Sequence, residues 1–147
     1  MAEWSLSLKE YARKKQVEIK KVRKAYAFAL YSSIVRKTPV DTGRARGNWH
    51  ISVGHDDTST TQSTQIQHTS MQSVPDPEGD EPIYISNNLD YIEKLEYGGY
   101  PNPPKKDGGK TVNGFSKKAP HGMVGVTLAN NENIFNAACR AVRSEEE

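Results

Sequence analysis

The chain has 147 residues, 35% of them hydrophobic, a formal net charge of +2 and a single cysteine. That length supports one domain with a modest core, the small net charge makes no case for nucleic-acid binding by itself, and Cys139 alone excludes an internal disulfide framework or a cysteine-built metal site. Mean hydropathy is −0.77 and no apolar run approaches the ~18 residues that cross a bilayer, so no membrane partner is expected, and either much of the chain is loop or arm or some surface is buried only in an assembly.

The first 15 residues are polar and lack a signal peptide's apolar segment, which predicts a chain made and kept in a reducing cytoplasm. Charge is unevenly placed. Residues 9–37 hold ten Lys or Arg against two Glu, and residues 54–82 hold six Asp or Glu with no Lys or Arg. Blocks of opposite sign can pair within one chain or between copies of it.

Residues 7–37 read as one long helix. Leu8, Tyr11, Ala12, Ile19, Val22, Tyr26, Ala29, Leu30, Ser33 and Ile34 recur at spacings of three and four, on one stripe. Ser7 with Glu10 has capping-box spacing, and Pro39 ends the run because a residue before proline avoids the helical region. The sequence Thr38-Pro39-Val40-Asp41-Thr42-Gly43-Arg44-Ala45-Arg46-Gly47-Asn48-Trp49 follows as a structured turn, with Gly43 suited to a positive φ. Residues 48–53 alternate as a strand with Trp49, Ile51 and Val53 on one face.

Residues 54–82 are dominated by Ser, Thr and Gln and show no period. They bury too little apolar area to offset their ordering entropy, and a loop of this length is unusual inside a domain. They read as an inserted polar arm or hairpin, mobile in a lone subunit and ordered by a partner. Residues 83–87 form a second strand, 90–99 a short helix stopped by glycine, and 100–122 an irregular loop. Residues 123–128 are a strand or the start of a last helix over 130–143, where Ile134, Phe135, Ala138, Cys139 and Val142 recur with helical period. The expected fold is a single α+β domain over 1–147: a long N-terminal helix and a C-terminal helix packed on a small, mainly antiparallel sheet, with a long arm.

Catalytic signals are sparse. His50, His55, His68 and His121 are scattered and form no zinc-binding spacing, and three consecutive residues, His55-Asp56-Asp57, rarely converge on one ion. No nucleophile elbow, phosphate loop or dinucleotide glycine pattern occurs. Asp90, Glu93 and Glu96 fall at helical spacing and read as a solvated face rather than a carboxylate pair.

The 38–49 sequence, following a long amphipathic helix, resembles a motif of the tail-completion or neck family of long-tailed double-stranded DNA bacteriophages, which includes the minor tail protein Z-like proteins. The segment Asn88-Leu89-Asp90-Tyr91-Ile92-Glu93-Lys94-Leu95-Glu96-Tyr97-Gly98 is similar to a second element of that family, and Ala119-Pro120-His121-Gly122-Met123 to a third. The resemblance covers roughly two thirds of the chain. It departs from the family in the long acidic, polar stretch at 54–82.

The resemblance implies a non-enzymatic virion protein without cofactor or metal, assembled in the host cytoplasm as a ring, usually a hexamer, at the end of the tail tube or the head–tail junction. Its partners would be further copies of itself, the major tail tube protein and head-closure or connector proteins, with genome DNA passing through the lumen. Thr38, Pro39, Asp41, Thr42, Gly43, Arg44, Arg46, Trp49, Tyr91, Glu96 and Gly98 are its motif positions and candidate subunit contacts. Arg44 and Arg46 are expected to pair with carboxylates, Glu93 or Glu96 in the same subunit or acids of a neighbour. The alternative is a small DNA-binding protein that uses the basic helix, whose affinity would fall steeply with salt.

Overall fold

In the computed structural model the described residues are 2–40, 43–103 and 109–146, and the side chains of 2–9, 11, 12, 16, 145 and 146 lie outside the description. Helix α1 runs Ala2–Lys37, a rod of about 54 Å at 1.5 Å per residue. It starts before Ser7, so Ser7 sits within the helix instead of capping it. Its last turn closes as expected: the Thr38 hydroxyl donates to the Ile34 carbonyl at 2.7 Å, and Pro39 follows.

The apolar stripe of α1 divides in two. From Val22 onward the helix is enclosed, with Ala25, Ala27, Tyr31, Ser33, Ile34 and Val35 buried. Before it, Val17 is 49% exposed and Ile19 is 58% exposed, which overturns the placement of Ile19 on a buried face. Periodicity identifies a face, but a partner element must extend far enough to cover it.

The covering elements explain where that change falls. Helix α5, Asn131–Glu146, follows the short helix α4, Val124–Ala129, and runs antiparallel to α1. Ser33 meets Thr127 at 3.1 Å between buried hydroxyls. Further along, Tyr26 meets Phe135 edge-on at 5.3 Å, and Ala25 packs with Ala138 and Val142. Residues 124–128 are thus helical and not a strand, but they form a short helix of their own ahead of α5 instead of its first turn.

On its other side α1 carries a two-stranded antiparallel sheet of β1, His50–Val53, and β2, Ile83–Ser86. The register sets Ile51 opposite Ile85 and Val53 opposite Ile83. Ile51 is buried, and Ile83 and Ile85 pack against the main core of Tyr31, Ile34, Val35, Trp49, Leu95 and Met123. A four-residue helix α2, Arg44–Gly47, precedes β1, and α3, Ile92–Tyr97, follows β2. Within the predicted 100–122 loop a small hairpin forms from β3, Thr111–Val112, and β4, Phe115–Ser116. The fold is α+β.

The polar stretch 54–82 lies along the body of its own chain, contrary to the expectation of an arm ordered by a partner. It contains one 3₁₀ turn, Met71–Ser73. Side chains from the body hydrogen-bond its backbone, and Val74 at 2% exposure anchors it in the main core. Backbone ordering opposes folding by about 1–2 kcal/mol per residue, and here hydrogen bonds supply what apolar burial cannot.

Candidate functional site

The motif 38–49 forms the corner between α1 and β1. Gly43 adopts φ +86° ahead of α2, a conformation that disfavours residues with a Cβ. The Trp49 indole N–H donates to the Thr38 hydroxyl at 2.9 Å, and the Tyr31 hydroxyl donates to the Trp49 carbonyl at 3.2 Å. Arg46 ties the corner shut, Nε donating to the Thr38 carbonyl at 2.8 Å and Nη2 to the Arg36 carbonyl at 3.0 Å. The expected carboxylate partners of Arg46 are therefore replaced by backbone carbonyls at the end of α1. Asp41 and Thr42 lie outside the described residues.

The same corner clasps the polar stretch. Asn48 is fully buried, and its side-chain amide reads the Thr61 backbone at two points: Oδ1 accepts from the Thr61 N–H at 2.8 Å, and Nδ2 donates to the Thr61 carbonyl at 2.9 Å. Arg44 Nε also donates to that carbonyl, at 3.3 Å. A Cβ on Gly47 would stand 2.4 Å from the Ser63 carbonyl oxygen, so only glycine admits the strand of chain crossing there.

Two histidines hold the rest of the stretch. His50 Nε2 donates to the Ser59 carbonyl at 3.0 Å. His68 Nδ1 donates to the Ser73 carbonyl at 3.2 Å while Nε2 accepts from the Ile51 N–H at 3.4 Å. The His68 ring stands edge-on to Tyr31 at 5.3 Å. Burial lowers the pKa of His68 from the usual imidazole value, which favours the neutral ring that this donor–acceptor pattern requires.

A second junction joins the other two motif elements. Glu96 accepts three backbone amides at the start of α4: Met123 N–H at 2.9 Å and Val124 N–H at 2.6 Å on Oε1, and Gly125 N–H at 3.0 Å on Oε2. Such amides have no partner within their own helix, and a carboxylate satisfies them with charge-assisted bonds. The reading of Asp90, Glu93 and Glu96 as one solvated face is thus corrected: Asp90 and Glu93 are exposed, while Glu96 is half-buried. Its carboxylate caps another helix and does not pair with Arg46. Gly98, at φ +82°, lets the chain pass Phe115 and the Gly114 carbonyl.

Between the two junctions lies a cleft of about 800 Å³, within the ~300–1,000 Å³ typical of ligand-sized clefts. Pro39, Tyr91, Leu95 and Tyr100 contribute ring and aliphatic surface. Arg44, Lys110, Lys117 and Lys118 contribute positive charge, and no acidic residue lines it among the described residues. Lys118 Nζ donates to the Val40 carbonyl at 3.3 Å on the rim. Of the motif residues, Pro39, Gly43, Arg44 and Tyr91 face this cleft, whereas Thr38 and Trp49 are buried beneath it.

Sequence reading missed Tyr31, Gly47, Asn48 and Gly122 as the residues that close these junctions, and Lys117 and Lys118 as a basic rim. Among the described residues no group of three or more His, Cys, Asp or Glu is placed to hold a metal ion, and no described helix is long and apolar enough to cross a membrane.

No protein-family model, curated protein or solved structure matches this chain. Fold and site together define an α+β chain whose sequence motifs build two internal junctions around a basic cleft.

Proposed function

We propose that this protein is a structural subunit of a long-tailed phage particle, a ring-former at the neck that completes the tail tube and joins it to the head. The observation that carries the reading is the convergence of three elements distant in sequence. Ala45 and Trp49 from the first, Ile92 and Leu95 from the second, and Ala119 and Met123 from the third share one core, and Glu96 links the second to the third. These are the segments that resemble the tail-completion family, and their packing as a unit gives each a structural reason to recur together.

In this reading the chain does no chemistry. Glu96, His50 and His68 hold backbone in place, which is work for a scaffold. Its partners are further copies of itself, six in the usual ring, with the major tail tube protein on one side and head-closure or connector proteins on the other. Arg13, Lys14, Lys15 and Lys20 are exposed on the first half of α1; such a face suits the lining of a channel through which genome DNA passes without base-specific contact.

Removing the gene from the phage that carries it should leave filled heads and finished tails unjoined, visible by electron microscopy, with infectious yield restored by supplying the protein. Joined particles at normal yield would contradict the proposal.

A further inference from the structure

The chain also carries a protruding acidic tip that its own basic cleft does not meet. Residues 76–81 include Asp76, Glu78, Asp80 and Glu81 and no cation. The tip is built to keep its shape. Pro77 is buried at its base, and Lys24 pairs with Asp76 at 2.7 Å. Arg23 donates to the carbonyl of Gly79 at 2.9 Å and to that of Glu81. The Glu81 carboxylate folds inward, Oε1 accepting the Glu78 N–H at 3.0 Å. Glu78 and Asp80 remain exposed at the apex. A Cβ on Gly79, between them, would have no atom within 4 Å, so the apex projects into open space.

The tip is fixed to α1 at Arg23 and Lys24, and the cleft begins just past the end of α1, at Pro39. Thirteen helical residues carry α1 on from Lys24 to its end at Lys37, about 20 Å, with Pro39 two residues further. Within one copy the two therefore stand apart. Unlike surfaces at separate places on one body are what a head-to-tail contact needs, and such contacts generate rings when the rotation closes. Inside the chain the basic helix meets the acidic stretch through the Lys24–Asp76 ion pair and the Arg23 bonds to backbone carbonyls; the Glu78 and Asp80 carboxylates at the apex lie outside that contact and are exposed.

We infer that the 76–81 tip of one copy seats in the basic cleft of the next, Glu78 and Asp80 against Lys117 and Lys118. The occupant is a second copy of this chain. Opposite charges across such a contact speed encounter and set register, and the tip's internal bonds reduce the ordering entropy lost on docking. This inference rests on the ring reading and names the surfaces that close the ring.

The test measures solution mass by light scattering for the full chain and three variants. Glu78→Lys with Asp80→Lys, and separately Lys117→Glu with Lys118→Glu, should each reduce the ring to monomer. Carrying all four changes in one chain should restore ring mass, because every contact then has its charges exchanged together. Variants that keep ring mass overturn the inference, as does a four-fold variant that stays monomeric. An unaltered protein that is itself monomeric overturns the ring reading instead. A zero-length carbodiimide crosslink on the unaltered ring gives an answer independent of variant folding. Mixed isotope-labelled and unlabelled copies should yield peptides joining Lys117 or Lys118 to Glu78 or Asp80 of a different copy, and their absence from a fully mapped digest overturns the assignment.

Discussion

Replacing Trp49 with alanine is expected to lower the unfolding free energy by about 3–5 kcal/mol, the usual range for removing a buried large aromatic side chain. Trp49 is 4% exposed, and it is both a core residue and a bracket. Its ring fills the space between α1 and the sheet, and its N–H satisfies the Thr38 hydroxyl, which in turn closes the last turn of α1. Small domains have only about 5–15 kcal/mol in total, so this change removes much of the margin. Urea unfolding followed by circular dichroism measures it. Trp49→Phe separates the two roles: the ring volume is largely kept and the N–H is lost, for a smaller loss of about 1–2 kcal/mol. Equal losses in the two variants would mean that packing at this corner contributes little.

Gly122→Ala is expected to destabilise by about 2–4 kcal/mol, from the strain of a left-handed residue together with a steric clash. Gly122 has φ +82°, and a Cβ there would stand 2.4 Å from the Glu96 carbonyl oxygen and 2.8 Å from its Oε2. Backbone has little room to yield at the first contact, and moving the carboxylate at the second unseats the cap on α4. Glu96→Gln should be milder, near 1 kcal/mol, since the amide oxygen still accepts a bond but without the charge. Thermal melting ranks them. A Gly122→Ala protein as stable as the parent would show that the junction between α3 and α4 is loose, against the geometry described here.

Much of this fold is readable from residue order. The end of α1 follows from Pro39, the two strands from their alternation, α5 from its period, and the α+β class from the succession of elements. What escaped has specific physical causes. Ile19 sits on the right stripe, yet α5 does not enclose it, and no local pattern reports the length of a partner. Glu96 shares its spacing with Asp90 and Glu93, so its separate task depends on where the Met123, Val124 and Gly125 amides arrive in space. The stretch 54–82 looks unable to fold because its stabilisation is polar: Asn48, His50 and His68 bind its backbone from elements a sequence window never places beside it. Of the motif residues, Thr38, Arg46 and Trp49 hold the corner and Glu96 the second junction, tasks that residue order does not specify, and the charge on Lys117, Lys118 and the 76–81 tip is marked by no motif.

In the proposed ring, each copy of this chain is completed by its neighbours. Sedimentation equilibrium of the purified protein across a range of concentrations tests that directly. Six copies of a 16.4 kDa chain make a particle of about 98 kDa, and a closed ring should hold that mass on dilution to the point where it falls apart cooperatively. A single species of 16.4 kDa at every concentration, still folded and with its cleft open, would contradict the account.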